Sequence, residues 1–226
     1  MFNHVRLDPI EMETEEIDGK RYYVTPPKRK YPSVTTVIGD NPAKKKSIIQ
    51  WRKRVGEEKA NLISTCASRK GNIYHKILEE YLDNSLDIEK YKDTPLPVFM
   101  YLASKSIIDR INNIYLQEAA LYSDVLKIAG RVDCIAEFDG VLSIIDFKTS
   151  NNFKEEDLIY DYYVQECAYA CMFLERYGIK VNQIVTIIAC NDGTVQVKIK
   201  PIKKKYFLSL VEYIQEFNKN ATKSGG

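Results

Sequence analysis

Between residues 130 and 150 apolar and polar positions alternate in two runs, GRVDCIAEF and VLSIIDFKTS, separated by Asp139-Gly140. Alternation predicts strands, and Asp-Gly between two such runs predicts a hairpin with a two-residue turn. With Asp139 and Gly140 as the loop, Phe138 pairs with Val141, Glu137 with Leu142, Ile135 with Ile144 and Asp133 with Asp146. Lys148, two residues further on, shares the face of Asp146. Val132, Cys134, Ala136, Phe138, Val141, Ile145 and Phe147 take the opposite face, which is expected to pack on the core.

The rest of the chain supplies a mixed set of elements. A small hairpin is expected about Asp18-Gly19, with KRYYVTP as its second strand, followed by an extended link across Pro26, Pro27 and Pro32. Helices are expected over about 43–64, with Gly56 a weak point, and over about 68–82, where Ile73, Ile77, Leu78 and Tyr81 keep helical spacing. A loop over DNSLDIEKYKDTPLP leads to a third helix over about 98–115, and a strand over about 117–122 precedes the central hairpin. A helix over about 160–177 stops at Gly178. The strands QIVTIIAC and TVQVKI flank Asn191-Asp192-Gly193, a last helix covers about 203–220, and a disordered tail is expected over 221–226. No internal repeat is present.

Composition narrows the class. At 226 residues the chain fits a single domain, with 1–66 as an N-terminal hairpin and basic helical segment and 67–220 as a core. With 45% hydrophobic and 28% charged residues, a mainly disordered chain is excluded. No apolar run is long enough to span a membrane. Five cysteines, odd in number and without a secretory segment before them, point to a reducing, intracellular setting, expected to be the cytoplasm. The formal net charge of +2 is nearly neutral, so any grip on nucleic acid must come from clustered charge. PPKRKYP, AKKKSIIQWRKR and IKPIKKKY provide clusters; in the second, Trp51 interleaves with Arg52 and Arg54, a mix suited to phosphates and stacked bases.

The hairpin poses a chemical problem. Two carboxylates directly opposite each other on adjacent strands repel. A hard divalent cation offsets that repulsion, because Mg²⁺ is held by one or two carboxylates together with water and phosphate oxygens. Lys148 beside them could orient a water or stabilise charge developing on phosphorus. Two acids and a lysine around a metal suit phosphodiester cleavage.

Further motifs surround the hairpin in a fixed order. GNIYH matches G-x-x-x-H and ends at His75; Glu118 follows in YLQEAALYSD; GRVD matches G-x-x-D; DFK matches D-x-K; and QECAY matches Q-x-x-x-Y, with Gln165 and Tyr169 four residues apart and so on one helical face. This ordered set resembles the RecB-type branch of the PD-(D/E)XK nuclease superfamily, and YPSVTTVI with the Trp51 segment is similar to a mitochondrial and phage exonuclease subgroup of it. The likeness covers roughly residues 20–215. It implies an α/β, restriction-endonuclease-like core of αβββαβ order, a central mixed sheet flanked by helices, with an N-terminal helical extension.

The resemblance also implies site roles. Asp133, Asp146 and the Phe147 carbonyl would bind Mg²⁺ or Mn²⁺, His75 would join the metal site, and Glu118 would support or complete it. Lys148 would position the attacking water, while Gln165 and Tyr169 would brace Lys148 or touch the nucleic acid. Ser33, Thr35, Trp51, Arg52 and Arg54 would contact DNA. Some RecB-type relatives carry an iron–sulfur cluster; no C-x-x-C occurs here and none is expected. The implied activity is metal-dependent exonuclease action on single-stranded DNA ends or flaps. A structure-specific endonuclease of the same fold and an inactive DNA-binding relic are the alternatives.

Overall fold

The computed structural model describes the chain from Met1 to Ser224 apart from Arg6. The element order is β1 (Glu13–Ile17), β2 (Lys20–Val24), β3 (Lys30–Pro32), α1 (Val34–Gly39), α2 (Pro42–Val55), α3 (Glu57–Leu82), α4 (Pro95–Ile108), β4 (Ile111–Ser123), β5 (Ile128–Phe138), β6 (Val141–Ser150), α5 (Tyr160–Tyr177), β7 (Gln183–Cys190), β8 (Val195–Pro201) and α6 (Lys204–Ser224). From α4 to β7 this is the αβββαβ order that the motif resemblance implied.

Strands β4 to β8 form one sheet in sequential order, antiparallel throughout except for the parallel β6–β7 pair, which α5 connects. Both faces are covered. Val132, Ile135 and Ile144 pack on one side with α1, α5 and α6, including Val37, Phe173, Leu210 and Phe217. Cys134, Phe138, Ile145 and Phe147 pack on the other with Tyr74, Ile77 and Leu78 of α3 and Met100 of α4. The expectation of one structural face and one charged face is thus corrected. Val132 belongs to the layer opposite Cys134, and Val141, at the turn, is exposed.

The first three strands make a second, antiparallel sheet. The segment expected as an extended link contains a turn and then β3, which pairs with β2 from Tyr22–Pro32 to Val24–Lys30. This sheet is fixed to β5 by a bridge from Ser33 to Ala129, and Arg29 and Tyr31 both donate to Asp124 at 2.7 Å. Ser33 caps α1 by accepting the Thr36 N–H at 3.0 Å.

Gly56 proves to be a break. At φ 87° it ends α2 and starts α3, which then runs unbroken to Leu82, across the boundary expected between 66 and 67. His75 is therefore mid-helix. The third helix ends at Ile108, and residues 111–115 belong to β4 instead, because apolar spacing in INNIYL fits a strand as well as a helix. The last helix reaches Ser224, and Gly225 and Gly226 of the expected tail lie outside the described residues.

Candidate active site

Asp139 and Gly140 adopt φ of 52° and 77°, the left-handed pair of a type I′ hairpin. From this turn β5 and β6 pair from Phe138–Val141 through Cys134–Ile145. The ladder stops there, one step short of the two aspartates. Beyond it β5 stays with β4 and β6 stays with β7. Asp133 and Asp146 stand in the fork where the strands part, which corrects the expected direct cross-strand pair. Across the fork Asp133 Oδ2 accepts the Phe147 backbone N–H at 2.8 Å.

On its other side Asp133 lies opposite Glu118, between the pairs Gln117–Cys134 and Ala119–Val132. Glu118 has φ 45° in the middle of a strand, an unfavourable conformation that costs on the order of 1–3 kcal/mol and clusters at functional sites. Leu116 and Ala119 share a core layer although three residues apart, and so do Val132 and Ile135. The in–out alternation slips by one at Glu118 and Asp133, which frees both carboxylates from the packed face. His75 enters from α3, its Nδ1 3.6 Å from Glu118 Oε1 and 3.8 Å from Asp133 Oδ1.

These three residues bring potential ligand atoms within 4.8 Å of one another. Two carboxylates and an imidazole suit a divalent cation of the Mg²⁺ or Mn²⁺ class, oxygen-rich with one nitrogen. Beside them the buried Asp146 Oδ2 meets the Lys148 ammonium as an ion pair but lacks an aligned hydrogen bond. An under-satisfied buried carboxylate oxygen is a further sign that the donor set fits a cation.

Electrostatics follow from this crowding. Burial and the nearby Asp133 push the Asp146 carboxyl up to about 6, against the pull of Lys148. Burial disfavours charge on Lys148, but Asp146 and Asp133 outweigh it and hold the ammonium protonated. Burial likewise disfavours the His75 imidazolium, and Asp133 and Glu118 reverse the balance, so its pKa is raised. The Lys148 Nζ also lies 5.1 Å from the centre of the Tyr162 ring.

Helix α5 closes the site. Gln165 Nε2 donates to Asp146 Oδ1 at 3.2 Å and to Tyr169 Oη at 3.3 Å. The Tyr169 ring in turn packs on Gly130, where an added Cβ would lie 2.9 Å from its Cε1. The glycine of G-x-x-D and the tyrosine of Q-x-x-x-Y are therefore in contact. Ser33 and Thr35 line a cavity of about 200 Å³ together with Gln165, Tyr169, Asp133 and Glu118. A cleft of about 420 Å³ on the α3 side holds His75, Glu118 and Lys148.

Not every expected residue joins this constellation. Trp51, Arg52 and Arg54 lie on α2, which buries no side chain. Arg52 is engaged by Glu57 and by Asn61 Oδ1 at 2.6 Å, bracing the elbow at Gly56. The Phe147 group tied to the cluster is its amide N–H. The sequence reading missed four residues here. Tyr162 sits three positions before Gln165, hence on its helical face. Arg131 lies inside GRVD, and Arg21 is the second residue of β2. Glu166 is a fully buried acid whose Oε1 accepts from Thr186 Oγ1 at 2.7 Å, while its Oε2 has no partner among the described residues. An acid within the apolar run of α5 was its only signal.

A family model described as PD-(D/E)XK nuclease superfamily matches residues 49–221. Mitochondrial genome maintenance exonuclease 1 of Mus musculus is 28% identical over 174 residues, covering 72% of this chain and 51% of the mouse protein. The Homo sapiens protein of the same name is 27% identical over 175 residues, covering 72% and 50%. The chain thus spans about half the length of the curated relatives it matches. A crystal structure from Eubacterium rectale, described as an exonuclease candidate, superposes with a TM-score of 0.46 at 11% identity, covering 67% of this chain and 65% of that one. No described helix is long and apolar enough to cross a membrane.

Proposed function

The chain belongs to the PD-(D/E)XK nuclease superfamily, and from that premise we propose that it is a metal-dependent deoxyribonuclease, an exonuclease acting on single-stranded DNA ends or flaps. The observation that carries this reading is the fork itself. There Glu118, Asp133 and His75 converge, and the buried Asp146–Lys148 pair stands beside them under Gln165.

His75, Glu118, Asp133 and Asp146, with the Phe147 carbonyl, would hold Mg²⁺ or Mn²⁺. Such an ion lowers the pKa of a bound water and polarises a phosphoryl oxygen. The chain's own groups do the rest. Lys148, kept charged by two carboxylates, is a hydrogen-bond donor, so it orients the attacking water and stabilises negative charge developing on the phosphate. Gln165 fixes the rotamer of Asp146 and, with Tyr169 behind it, keeps α5 against the fork. Tyr162 limits where the Lys148 ammonium can move. Ser33 and Thr35 on one side, and Trp51 and Arg54 on α2, would contact the strand.

The test uses end-labelled linear single-stranded and double-stranded DNA with Mg²⁺, Mn²⁺ or EDTA. We expect metal-dependent release of short products from the single strand. Asp146→Ala and Lys148→Ala should each lower the rate by about a hundredfold or more with unchanged circular dichroism. A wild-type rate in either variant overturns the assigned mechanism.

A further inference from the structure

Of the eight described arginines, four, Arg21, Arg54, Arg69 and Arg131, make no side-chain hydrogen bond or ion pair among the described residues. Arg29, Arg52, Arg110 and Arg176 each pair with a carboxylate. Of the unpaired arginines, Arg21 and Arg131 both line the cavity of about 200 Å³ that also holds Asp133 and Glu118. They arrive from different sheets, Arg21 from β2 and Arg131 from β5, and both are exposed. Two free guanidinium groups beside an acidic cluster, neither neutralised by it, are arranged to meet an anion from outside.

The surroundings of this cavity are built rather than incidental. The Arg21 carbonyl accepts the Ser33 N–H at 2.9 Å, which fixes its strand where β3 leads into α1. The cavity wall is the Tyr169 ring seated on Gly130, next to Arg131. The cavity shares Glu118 with the cleft of about 420 Å³ that contains His75 and Lys148. It shares Glu118 and Arg131 with a groove of about 590 Å³ whose lining also includes Lys28, Ile10, Met12, Glu11 and Glu13 of the N-terminal segment. Glu118 thus borders all three concavities, and Arg131 stands between the middle cavity and the groove beside the first sheet. The middle cavity, about 200 Å³, brings Arg21 and Arg131 together with Ser33 and Thr35, donors of the kind that contact phosphodiester groups.

We propose that Arg21 and Arg131 form a phosphate-binding subsite for the DNA backbone on the first-sheet side of the acidic cluster, gripping a phosphate that is not the one cleaved. The inference rests on the nuclease reading and deepens it. A phosphate held between two guanidinium forks fixes the strand's register relative to the acids. The Arg21–Arg131 grip thereby sets the length of the released product.

The experiment measures binding of fluorescein-labelled 12-residue oligothymidylate with Ca²⁺ in place of Mg²⁺, from about 50 to about 200 mM KCl, alongside product lengths with Mg²⁺ or Mn²⁺. For a single strand each phosphate contact contributes about 0.7 to the slope of log K against log salt. Arg21→Gln and Arg131→Gln should each weaken binding several-fold at low salt, lower the slope by about 0.7, and broaden the product-length distribution. Arg131→Lys should keep the slope, since charge is retained. Arg110→Gln, whose arginine pairs with Asp139 at the hairpin turn, should change neither slope nor product lengths. Wild-type protein that binds and cleaves, with slopes and products unaltered in both glutamine variants, overturns the subsite and leaves the nuclease reading standing. Wild-type protein that neither binds nor cleaves with any of these metals overturns the nuclease reading and the subsite with it.

Discussion

At Glu118 and Glu166 two acids are placed in ways a folded chain ordinarily avoids. Glu118 occupies left-handed backbone within a strand; Glu166 is buried without exposure, one oxygen bonded to Thr186 and the other without a partner among the described residues. The first cost brings a carboxylate to Asp133 and His75. The second has a measurable consequence. Burial, reinforced by Asp146, raises the Glu166 pKa well above its ordinary value of 4.5, outweighing Thr186 and Lys148. Between that ordinary value and the raised one, the native state holds a proton that the unfolded chain has released. Stability contributed by this group is therefore full below about pH 4.5 and is lost as pH rises. Urea unfolding in EDTA should show wild type losing more stability between about pH 5 and about pH 8 than Glu166→Gln, which cannot ionise. Parallel pH profiles for the two proteins would mean that Glu166 ionises freely in the fold.

Between elements, the Gly130–Tyr169 contact couples β5 to α5. A Cβ at residue 130 would press on a ring that is itself buried, so the helix or the strand must yield. Gly130→Ala should cost about 1–3 kcal/mol, as overpacking does, and should lower cleavage further by shifting Gln165 away from Asp146. An unfolding free energy within a few tenths of a kcal/mol of wild type would show that the contact is loose. Such contacts explain what could be read in advance. Asp139-Gly140 specified its own turn, and the pairs from Phe138–Val141 to Ile135–Ile144 followed by counting. The fork beyond Cys134–Ile145 is set by competition, with β4 holding β5 and β7 holding β6, which alternation within one hairpin does not encode. The pairing of Glu118 with Asp133 depends on a register shift between Asn112 and Leu116, another property of two strands together. His75, Gln165 and Tyr169 were legible through motif order; Arg21, on a separate sheet, had no local signal at all.

Across the whole molecule, α3 joins two very different environments. Its C-terminal half is packed through Tyr74, Ile77, Leu78 and Leu82 and carries His75, whereas Ala60 is the only buried residue before Tyr74. With α2, which buries nothing, the first half of α3 forms a limb standing off the core, bent at Gly56 and braced there by Arg52 and Glu57. Its base is tied down by Lys44 to Asp161 at 3.0 Å and by Lys45 to Asp40 at 2.6 Å. On the proposed function this limb, whose α3 half runs on into the turn that supplies His75, would hold a strand near the acids. On the same proposed function Trp51 would offer a stacking surface on that limb, worth about 1–3 kcal/mol per base where bases stack on aromatic rings. Trp51→Ala should weaken single-strand binding about tenfold while the thermal shift produced by Mn²⁺ stays as in wild type, because His75, Glu118 and Asp133 are untouched. If the limb also encloses the strand, entry requires a free end. A closed circular single strand should then resist cleavage under conditions that degrade its linear form, and rapid cutting of the circle would mean that the limb leaves the site open from the side.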